Sequence, residues 1–234
     1  MKVALCISGH FRSDRTFLGI RDYILSNPNI ECDIFIHTWN IKDRHGAPLQ
    51  ESKIVAEYQP KRYVIESPKQ FNITPLMEQQ NFNKRDINGL LSMFYKIEQC
   101  NELKKQYEKE HNFTYDCVIR FRGDIELLDP IDFQNLDMNK LYVPLHGDYG
   151  GINDQFAFSN SKNMDVYTST FSNIETYLKS NMLLNPEFFT KETISRNNLE
   201  LARPYIKYVV RWINGAVWNN ETRFEPEVMK RHGF

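Results

Sequence analysis

The sequence predicts an α/β protein with a mostly parallel sheet and helices on both faces of that sheet. Three observations support this fold class. Short apolar runs alternate with amphipathic segments through the first half of the chain. The apolar runs are nearly continuous, which is typical of strands covered on both sides. A strand, helix, strand order also favours parallel pairing with right-handed crossovers.

Length and charge limit the possible organisation and partners. The chain has 234 residues, 41% of them hydrophobic. A chain of this size buries roughly 70% of its unfolded surface, so we expect one domain over residues 1–234. The formal net charge of −1 gives no general attraction to nucleic acid. We therefore expect no nucleic-acid partner, and any phosphate affinity must come from a local cluster.

The apolar segments and cysteines indicate a location. No apolar run approaches the ~18 residues of a membrane span, and the apolar start is too short for a signal-peptide core. The four cysteines show neither a Cys-x-x-Cys pair nor zinc spacing. We expect no transmembrane segment, reduced thiols and a cytoplasmic location, which is the host cytoplasm if a virus encodes the chain.

The first predicted strand, Lys2–Ser8, leads into a loop and a helix that begins at Ser13. Gly9 allows a ligand to approach the backbone closely, and Arg12 is long enough to reach a phosphate. Ser8 and Gly9 would then lie beside that ligand. The alternative is an ordinary turn, which a single glycine does not distinguish from a binding loop.

The second predicted strand, Cys32–Trp39, places two polar aromatic side chains at its carboxyl end, His37 and Trp39. These would contact a ribose or stack on a base. Alternatively, His37 is a hydrogen-bonded core residue and Trp39 is plain core. A helix at Glu51–Tyr58 and a strand at Arg62–Glu66 follow, which continues the alternating pattern.

A long amphipathic helix is predicted over Asp86–His111, because its apolar residues recur at alternating threes and fours. Tyr95 and Lys96 lie near its first turns, where a lysine and backbone amides can face a phosphate. A solvated lysine is the alternative. Lys104 and Glu108 are predicted to pair on the wet face of this helix.

The central predicted strand ends in a charged cluster within Tyr115–Glu126. Arg120 and Arg122 point to the same side of the strand, and Asp124 follows on that side if the chain stays extended. Two guanidiniums and one carboxylate suit a metal-bridged diphosphate. The alternative is a surface ion-pair patch of little consequence. We expect Asp124 to be exposed, and we expect this strand end to neighbour that of the first strand.

A glycine pair ending at Gly151 begins a second polar cluster, which continues with Asn153, Asp154 and Gln155 before the next strand. Such a loop can carry an acceptor-binding carboxylate. A positioned carboxylate at Asp154 can take the proton from an attacking hydroxyl, which makes it the candidate catalytic residue. The alternative is a turn without function, in which Asp154 only caps the chain reversal.

Weaker patterns predict the remaining elements. They are a polar loop around Arg44–Gly46, a loop at Ser67–Asn83, a strand pair formed by Leu127–Ile131 and Leu141–Pro144, a strand at Phe156–Phe158, a helix from Asn160 to Leu178, a short helix at Glu187–Ile194, a strand at Tyr205–Ile213 and a polar tail ending at His232–Phe234.

Five segments together resemble small glycosyltransferases of the nucleotide-diphospho-sugar, or GT-A-like, type, found among surface-polysaccharide genes of bacteria and large viruses. The resemblance covers roughly Lys2 to Leu178 and implies a single Rossmann-like domain. The segments are Ile7–Arg12, Phe35–Trp39, Met93–Ile97, Val118–Asp124 and Gly150–Phe158.

The resemblance implies a UDP- or GDP-linked sugar donor and a glycan acceptor. The donor-binding residues would be Ser8, Gly9, Arg12, His37, Trp39, Tyr95, Lys96, Arg120, Arg122 and Asp124. The acceptor-binding residues would be Gly151, Asn153, Asp154 and Gln155.

The resemblance also implies a divalent cation at an Asp-x-Asp position, which here reads Arg122-Gly123-Asp124. Asp124 alone would hold Mn²⁺ or Mg²⁺ with help from the diphosphate. Alternatively, Arg120 and Arg122 neutralise the diphosphate and metal dependence is weak.

Two other functions stay open. A sugar-phosphate nucleotidyltransferase shares this layered fold, but the first loop lacks the longer glycine-rich, arginine-bearing signature expected of one. A non-catalytic module that binds a nucleotide or carbohydrate is the third possibility.

Overall fold

The first third of the chain alternates strands and helices as predicted. The computed structural model describes residues 1–41, 49–81, 84, 86–211 and 217–219. The first elements are β1 (Lys2–Ser8), α1 (Arg15–Ile20), β2 (Glu31–Trp39), α2 (Glu51–Tyr58) and β3 (Arg62–Glu66). Helix α1 continues as a π-helical turn over Arg21–Leu25. The bounds predicted for β1, α2 and β3 are confirmed.

The rest of the chain adds helices to the sheet and contributes a second, smaller sheet. In chain order the elements are α3 (Pro75–Gln79), α4 (Ile87–His111), β4 (Cys117–Arg122), β5 (Ile125–Leu127), β6 (Leu141–Tyr142), β7 (Phe156–Ser159), α5 (Ser161–Thr168), α6 (Thr170–Lys179), α7 (Pro186–Arg196), β8 (Leu201–Ala202), β9 (Tyr208–Arg211) and β10 (Val217–Asn219).

The main sheet has seven strands in the order β3-β2-β1-β4-β7-β6-β8, and β1 to β4 are all parallel. Strand β7 runs antiparallel to β4. Ser8 at the end of β1 is in register with His37 on β2 and with Arg122 on β4. The predicted adjacency of the first and central strand ends is therefore confirmed. The smaller antiparallel sheet has the order β10-β9-β5.

Helices cover both faces of the main sheet, as the apolar strands predict. On one face Val3, Leu5 and Ile7 of β1 pack in a core with residues of α1 and α2. On the other, Ala4 and Cys6 pack with residues of α4, α5 and α7. Side chains on successive residues of a strand point to opposite faces, so β1 contributes to two cores at once.

Helix α4 forms the centre of the second face, and its start is fixed by a side-chain cap. The Asp86 carboxylate accepts a hydrogen bond from the Gly89 N–H at 3.0 Å, which satisfies one of the unpaired amides at a helix start. At the other end Asn112 adopts a left-handed φ of 53° and ends the helix. The cap places Lys96 in the third turn, facing the strand ends.

The prediction that Lys104 and Glu108 pair on a wet face of α4 is wrong about the face. The ion pair exists, with 3.0 Å between Lys104 Nζ and Glu108 Oε2, but the Lys104 side chain is 0% exposed. Helix α5 covers it, and Lys104 Nζ also contacts Asp165 Oδ1 at 2.7 Å and Ser161 Oγ at 2.5 Å. Periodicity alone did not show that α5 packs there.

Two helical predictions need correction. The loop predicted at Ser67–Asn83 contains α3, because Thr74 caps the Met77 N–H at 3.3 Å and Pro75 occupies the first helical position. The helix predicted from Asn160 to Leu178 is interrupted at Ser169. The Ser169 hydroxyl donates to the Val166 carbonyl at 2.8 Å, and such side-chain bonds compete with the helical ladder.

Two strand predictions also need correction. Strands β5 and β6 do not pair with each other, since β5 joins β9 and β6 joins β7 and β8. The strand expected from Tyr205 begins only at Tyr208. The carbonyls of Pro204 and Ile206 instead accept bonds from Leu145 N and His146 Nε2.

Three predictions fall wholly or partly outside the described residues. They concern the polar loop at Arg44–Gly46, the end of the strand expected to reach Ile213 and the tail at His232–Phe234. All four cysteines are described and are free thiols, of which Cys32 is partly buried and the others are buried. In the described part of the chain, no helix combines the length and apolar character that crossing a membrane requires.

Candidate functional site

A cavity of about 580 Å³ lies where β1 and β4 end and α4 begins. Open parallel sheets bind ligands at this position, beyond the carboxyl ends of their strands. Nine of the predicted site residues line it: Ser8, Gly9, Arg12, Trp39, Lys96, Arg120, Arg122, Asp124 and Gln155.

A bridged ion pair occupies the floor of the cavity. Asp124 accepts from Arg12 Nη1 at 2.7 Å and from Arg122 Nε at 2.5 Å. The Asp124 side chain is only 4% exposed, so the expectation of an exposed carboxylate is wrong. The chain turns at Gly123 and Asp124 instead of staying extended. Asp124 therefore fixes one guanidinium from the loop after β1 and one from the end of β4.

Close backbone contacts hold the loop after β1 against the turn that follows β4. The Gly123 N–H donates to the Ser8 carbonyl at 3.1 Å, and Thr38 Oγ1 donates to the Gly9 carbonyl at 2.7 Å. Gly9 has a φ of +114°, a conformation that side chains rarely adopt. A Cβ at Gly123 would lie 3.0 Å from the carbonyl oxygen of His10. These glycines therefore permit the chain reversals that bring Arg12 and Arg122 together.

Arg120 is the most unusual residue of the site. Its side chain is almost fully buried, and within the described structure Nε and Nη1 have no hydrogen-bond partner. Burial lowers the pKa of this guanidinium, which interactions with Tyr167 and Asp154 oppose. Arginine nevertheless stays charged in proteins. The Ser8 hydroxyl on the cavity wall is also buried without a described partner.

Lys96 brings a second buried cation to the cavity from α4. It is 3% exposed, and its Nζ lies 5.1 Å from the centre of the Trp39 ring. Burial lowers the pKa of Lys96 to about 8, and the charges of Arg120 and Arg12 add to this effect. Because the side chain is buried and lines the cavity, the alternative of a lysine on the solvated helix surface is wrong.

An aromatic cluster lies beside the cavity. Trp39 stacks on Tyr95 with 5.6 Å between ring centres, and His37 lies edge-on to both rings. Of these three residues, only Trp39 lines the cavity. His37 Nε2 lies 3.3 Å from Glu66 Oε1, and burial lowers the pKa of His37 to about 4. His37 and Tyr95 therefore pack against Trp39 without lining the cavity themselves.

Two of the predicted acceptor-binding residues, Gly151 and Asn153, have structural roles within their own loop. A Cβ at Gly151 would lie 2.2 Å from the Glu187 backbone at the start of α7, so the glycine is needed for packing. Asn153 is fully buried. Its amide donates to Tyr208 Oη at 2.8 Å and accepts from the Gln155 N–H at 2.7 Å. Neither Gly151 nor Asn153 lines the cavity.

The other two acceptor-loop residues lie closer to the cations. Gln155 lines the cavity, and its Oε1 accepts from the Tyr208 hydroxyl at 3.0 Å. Asp154 is 5% exposed and does not line the cavity. Burial raises the pKa of Asp154, and the charges of Arg122 and Arg120 oppose that rise. Asp154 is thus a buried carboxyl within electrostatic range of both guanidiniums.

Sequence reasoning missed ten of the cavity-lining residues, among them His10 and Tyr149. His10 lies between Gly9 and Arg12, and burial together with the Lys96 and Arg12 charges lowers its pKa to about 4. Tyr149 is 42% exposed and has a left-handed φ of 42°. Its position beside the glycine pair was the only sequence signal for it.

The donor atoms described here do not favour a divalent cation. Within the described residues no group of three or more histidine, cysteine or acidic side chains is arranged to hold a metal ion. Both oxygens of Asp124 already accept from guanidiniums. Divalent cations prefer several oxygen ligands, whereas cationic side chains predominate around Asp124.

The fold and site together define an α/β protein with a cation-rich cavity at the carboxyl ends of its parallel strands. The chain belongs to the family of a domain of unknown function (DUF7796), whose model matches residues 1–211. No curated protein matches the chain.

Proposed function

We propose that the protein is a glycosyltransferase, which moves a sugar from a UDP- or GDP-linked donor to a hydroxyl group of a glycan acceptor. The observation that carries this proposal is the presence of two buried cations at the cavity, Arg120 and Lys96. Arg120 Nε and Nη1 have no hydrogen-bond partner in the described structure, and the contact described for the Lys96 ammonium is with the Trp39 ring. Buried charges are normally paired. Guanidiniums bind phosphate oxygens in a planar, bidentate way, so a diphosphate is a fitting partner.

The placement of the cavity also supports a nucleotide ligand. It lies at the ends of adjacent parallel strands, where open α/β sheets bind nucleotides. Trp39 offers a ring for a base or ribose next to the cations. In this proposal the seven-stranded sheet is a GT-A-like, Rossmann-like domain that acts in the cytoplasm, or in the host cytoplasm if a virus encodes it.

The proposed reaction uses the cations to stabilise the leaving group. Asp154 lies behind the cavity wall next to the cavity-lining Gln155, so in this proposal the acceptor hydroxyl gives its proton to Asp154 through one water while its oxygen bonds to the anomeric carbon of the donor. The bond between that carbon and the diphosphate oxygen breaks, and its electron pair leaves with the nucleoside diphosphate. Arg120 and Arg122 stabilise the charge that develops there.

The stereochemistry decides the role of Asp154. A carboxylate that accepts the hydroxyl proton typically contributes a factor of 10²–10⁴ in rate, and in an inverting reaction Asp154 is that base. In a retaining reaction Asp154 instead binds hydroxyls of the donor or acceptor. Burial raises the pKa of Asp154, which makes its carboxylate a stronger base than that of an exposed aspartate.

The test is to incubate the full chain with UDP- and GDP-sugars and a panel of glycan acceptors. Acceptor-dependent release of free nucleoside diphosphate is the expected result. Formation of a nucleotide sugar and pyrophosphate from a nucleoside triphosphate and a sugar phosphate would identify a nucleotidyltransferase instead. Binding without turnover would identify a binding module. If neither UDP nor GDP binds at about millimolar concentration, the donor proposal is wrong.

A further inference from the structure

We infer that the cavity binds its diphosphate through side-chain cations without a divalent metal ion, and that Asp124 positions Arg12 and Arg122 instead of ligating a metal. This inference rests on the proposed function for the identity of the ligand. It extends that function, because it decides between the two possibilities that the sequence left open at Arg122-Gly123-Asp124.

The first argument concerns the oxygens of Asp124. Oδ1 accepts from Arg122 Nε at 2.5 Å, and Oδ2 accepts from Arg12 Nη1 at 2.7 Å and from Arg122 Nη2 at 3.3 Å. A metal ion bound to either oxygen would compete with these hydrogen bonds and would lie close to both guanidiniums. Like charges at such distances repel strongly where water is scarce.

The second argument concerns the other carboxylates near this position. Glu126 is paired with Arg211. Asp86 lines the cavity, where it caps α4 through the Gly89 N–H. Asp154 is buried and does not line the cavity. No second carboxylate in the described chain therefore joins Asp124 to share a metal ion, in agreement with the lack of any metal-binding cluster there.

The third argument is the balance of charge. Arg12, Arg122, Arg120 and Lys96 line the cavity together with two carboxylates, Asp124 and Asp86, and Asp124 forms ion pairs with Arg12 and Arg122. The excess of positive charge matches the two ionised phosphates of a nucleotide sugar. In this arrangement the guanidiniums supply the charge stabilisation that a metal ion would otherwise supply.

The arrangement also gives each cation a separate task. Asp124 holds Arg12 and Arg122 in fixed positions before the ligand arrives, so little reorganisation is needed on binding. Arg120 and Lys96 have no such partner in the described residues, so their charge is available to the phosphates. Asp124 is thus a positioning residue that acts through the two arginines.

The experiment measures the dissociation constants of UDP, GDP and inorganic pyrophosphate by calorimetry, once with excess EDTA and once with Mn²⁺. The variants are Asp124→Asn and Arg120→Met, and the control is Asp22→Asn. Asp22 is an exposed carboxylate that pairs with Arg21 and does not line the cavity. Thermal unfolding of each variant checks that it is folded.

The inference predicts that the dissociation constant changes by less than about threefold between EDTA and Mn²⁺. Asp124→Asn should weaken binding by about tenfold under both conditions, since its role is to orient the arginines. Asp22→Asn should have no effect. A purely structural role for Asp124 would lower the unfolding temperature without changing the affinity of the folded protein, and that result would overturn the inference.

The other outcomes separate this inference from the proposed function. If Mn²⁺ tightens binding by tenfold or more and Asp124→Asn removes only that increment, Asp124 is a metal ligand and the inference is wrong. If pyrophosphate binds to the wild type in EDTA but not to Arg120→Met, and neither nucleotide binds, metal-free phosphate binding by the cations is supported. The glycosyltransferase proposal then fails. If none of the three binds in EDTA, the inference is overturned.

Discussion

Replacing Arg120 by methionine should stabilise the ligand-free protein. Arg120 is buried, and two of its donors have no partner in the described structure. An unsatisfied buried polar group destabilises by about 1–3 kcal/mol, and apolar replacement of buried ionic groups often stabilises by about 1–4 kcal/mol. We therefore expect the free energy of unfolding to rise by about 2 kcal/mol. For a chain of this length that corresponds to a melting temperature about 4–8 °C higher.

The matched control is Arg122→Met, two residues along the same strand. Arg122 is paired with the buried carboxylate of Asp124, so its removal leaves that carboxylate with Arg12 as its ion-pair partner. We expect the free energy of unfolding to fall by about 2 kcal/mol, since breaking a buried pair is strongly destabilising. Two chemically identical substitutions on one strand should thus have opposite effects.

Nucleotide binding should reverse the order of stability of the wild type and the Arg120→Met variant. A ligand at 100 times its dissociation constant adds about 2.7 kcal/mol to a protein that binds it. The wild type should gain this stabilisation from UDP or GDP, whereas Arg120→Met should gain little. Denaturant unfolding with and without nucleotide measures both effects. If Arg120→Met destabilises the free protein as much as Arg122→Met does, the Arg120 guanidinium has favourable partners in the free protein. That result would refute the reasoning.

Three further predictions follow from the described contacts. Asp154→Asn should keep the nucleotide affinity within about threefold and lower the rate of sugar transfer by about 100-fold or more. In initial-rate assays, the wild-type transfer rate should fall as the pH drops through the raised pKa of Asp154, because the protonated carboxyl cannot act as a base. The affinity for a nucleotide sugar should be constant below about pH 8 and fall above it, because Lys96 has its pKa lowered to about 8 and binds anions only when protonated; in calorimetry, Lys96→Met should lack this decrease. Lys104→Met should lower the free energy of unfolding by about 3 kcal/mol in denaturant titrations without changing nucleotide affinity, since it leaves the carboxylates of Glu108 and Asp165 unpaired.

The alternation of elements could be predicted because apolar runs of strand length carry enough information locally. Both faces of β1 are buried, so its residues are apolar without interruption and the strand is visible in the sequence. Adjacent strand ends then follow from parallel pairing. This is why Ser8, Arg12 and Arg122 were correctly expected near one another.

Burial of charged side chains could not be predicted, because it depends on elements distant in sequence. Lys104 has the spacing of a surface ion pair, yet α5 covers it, and Asp165 and Ser161 of that helix hold its ammonium. Asp124 looks like an exposed strand end, yet a turn buries it between two guanidiniums. In both cases the deciding contact comes from more than fifty residues away.

The acceptor loop shows a different limit. Gly151, Asn153 and Gln155 have the residue types of a binding loop, and the same types also build tight turns. The two uses differ in their three-dimensional contacts: Gly151 packs against Glu187, Asn153 bonds within the loop, and Gln155 reaches the cavity. Composition of a loop does not show which of its side chains point to a ligand.

A crystal structure of the protein with bound UDP or GDP, grown in EDTA, tests the central claim most directly. The account predicts phosphate oxygens within hydrogen-bond distance of Arg120 Nε or Nη1 and near the Lys96 ammonium, with the pairs from Asp124 to Arg12 and Arg122 intact. A nucleotide bound elsewhere, or phosphates that leave Arg120 without a partner, would contradict it.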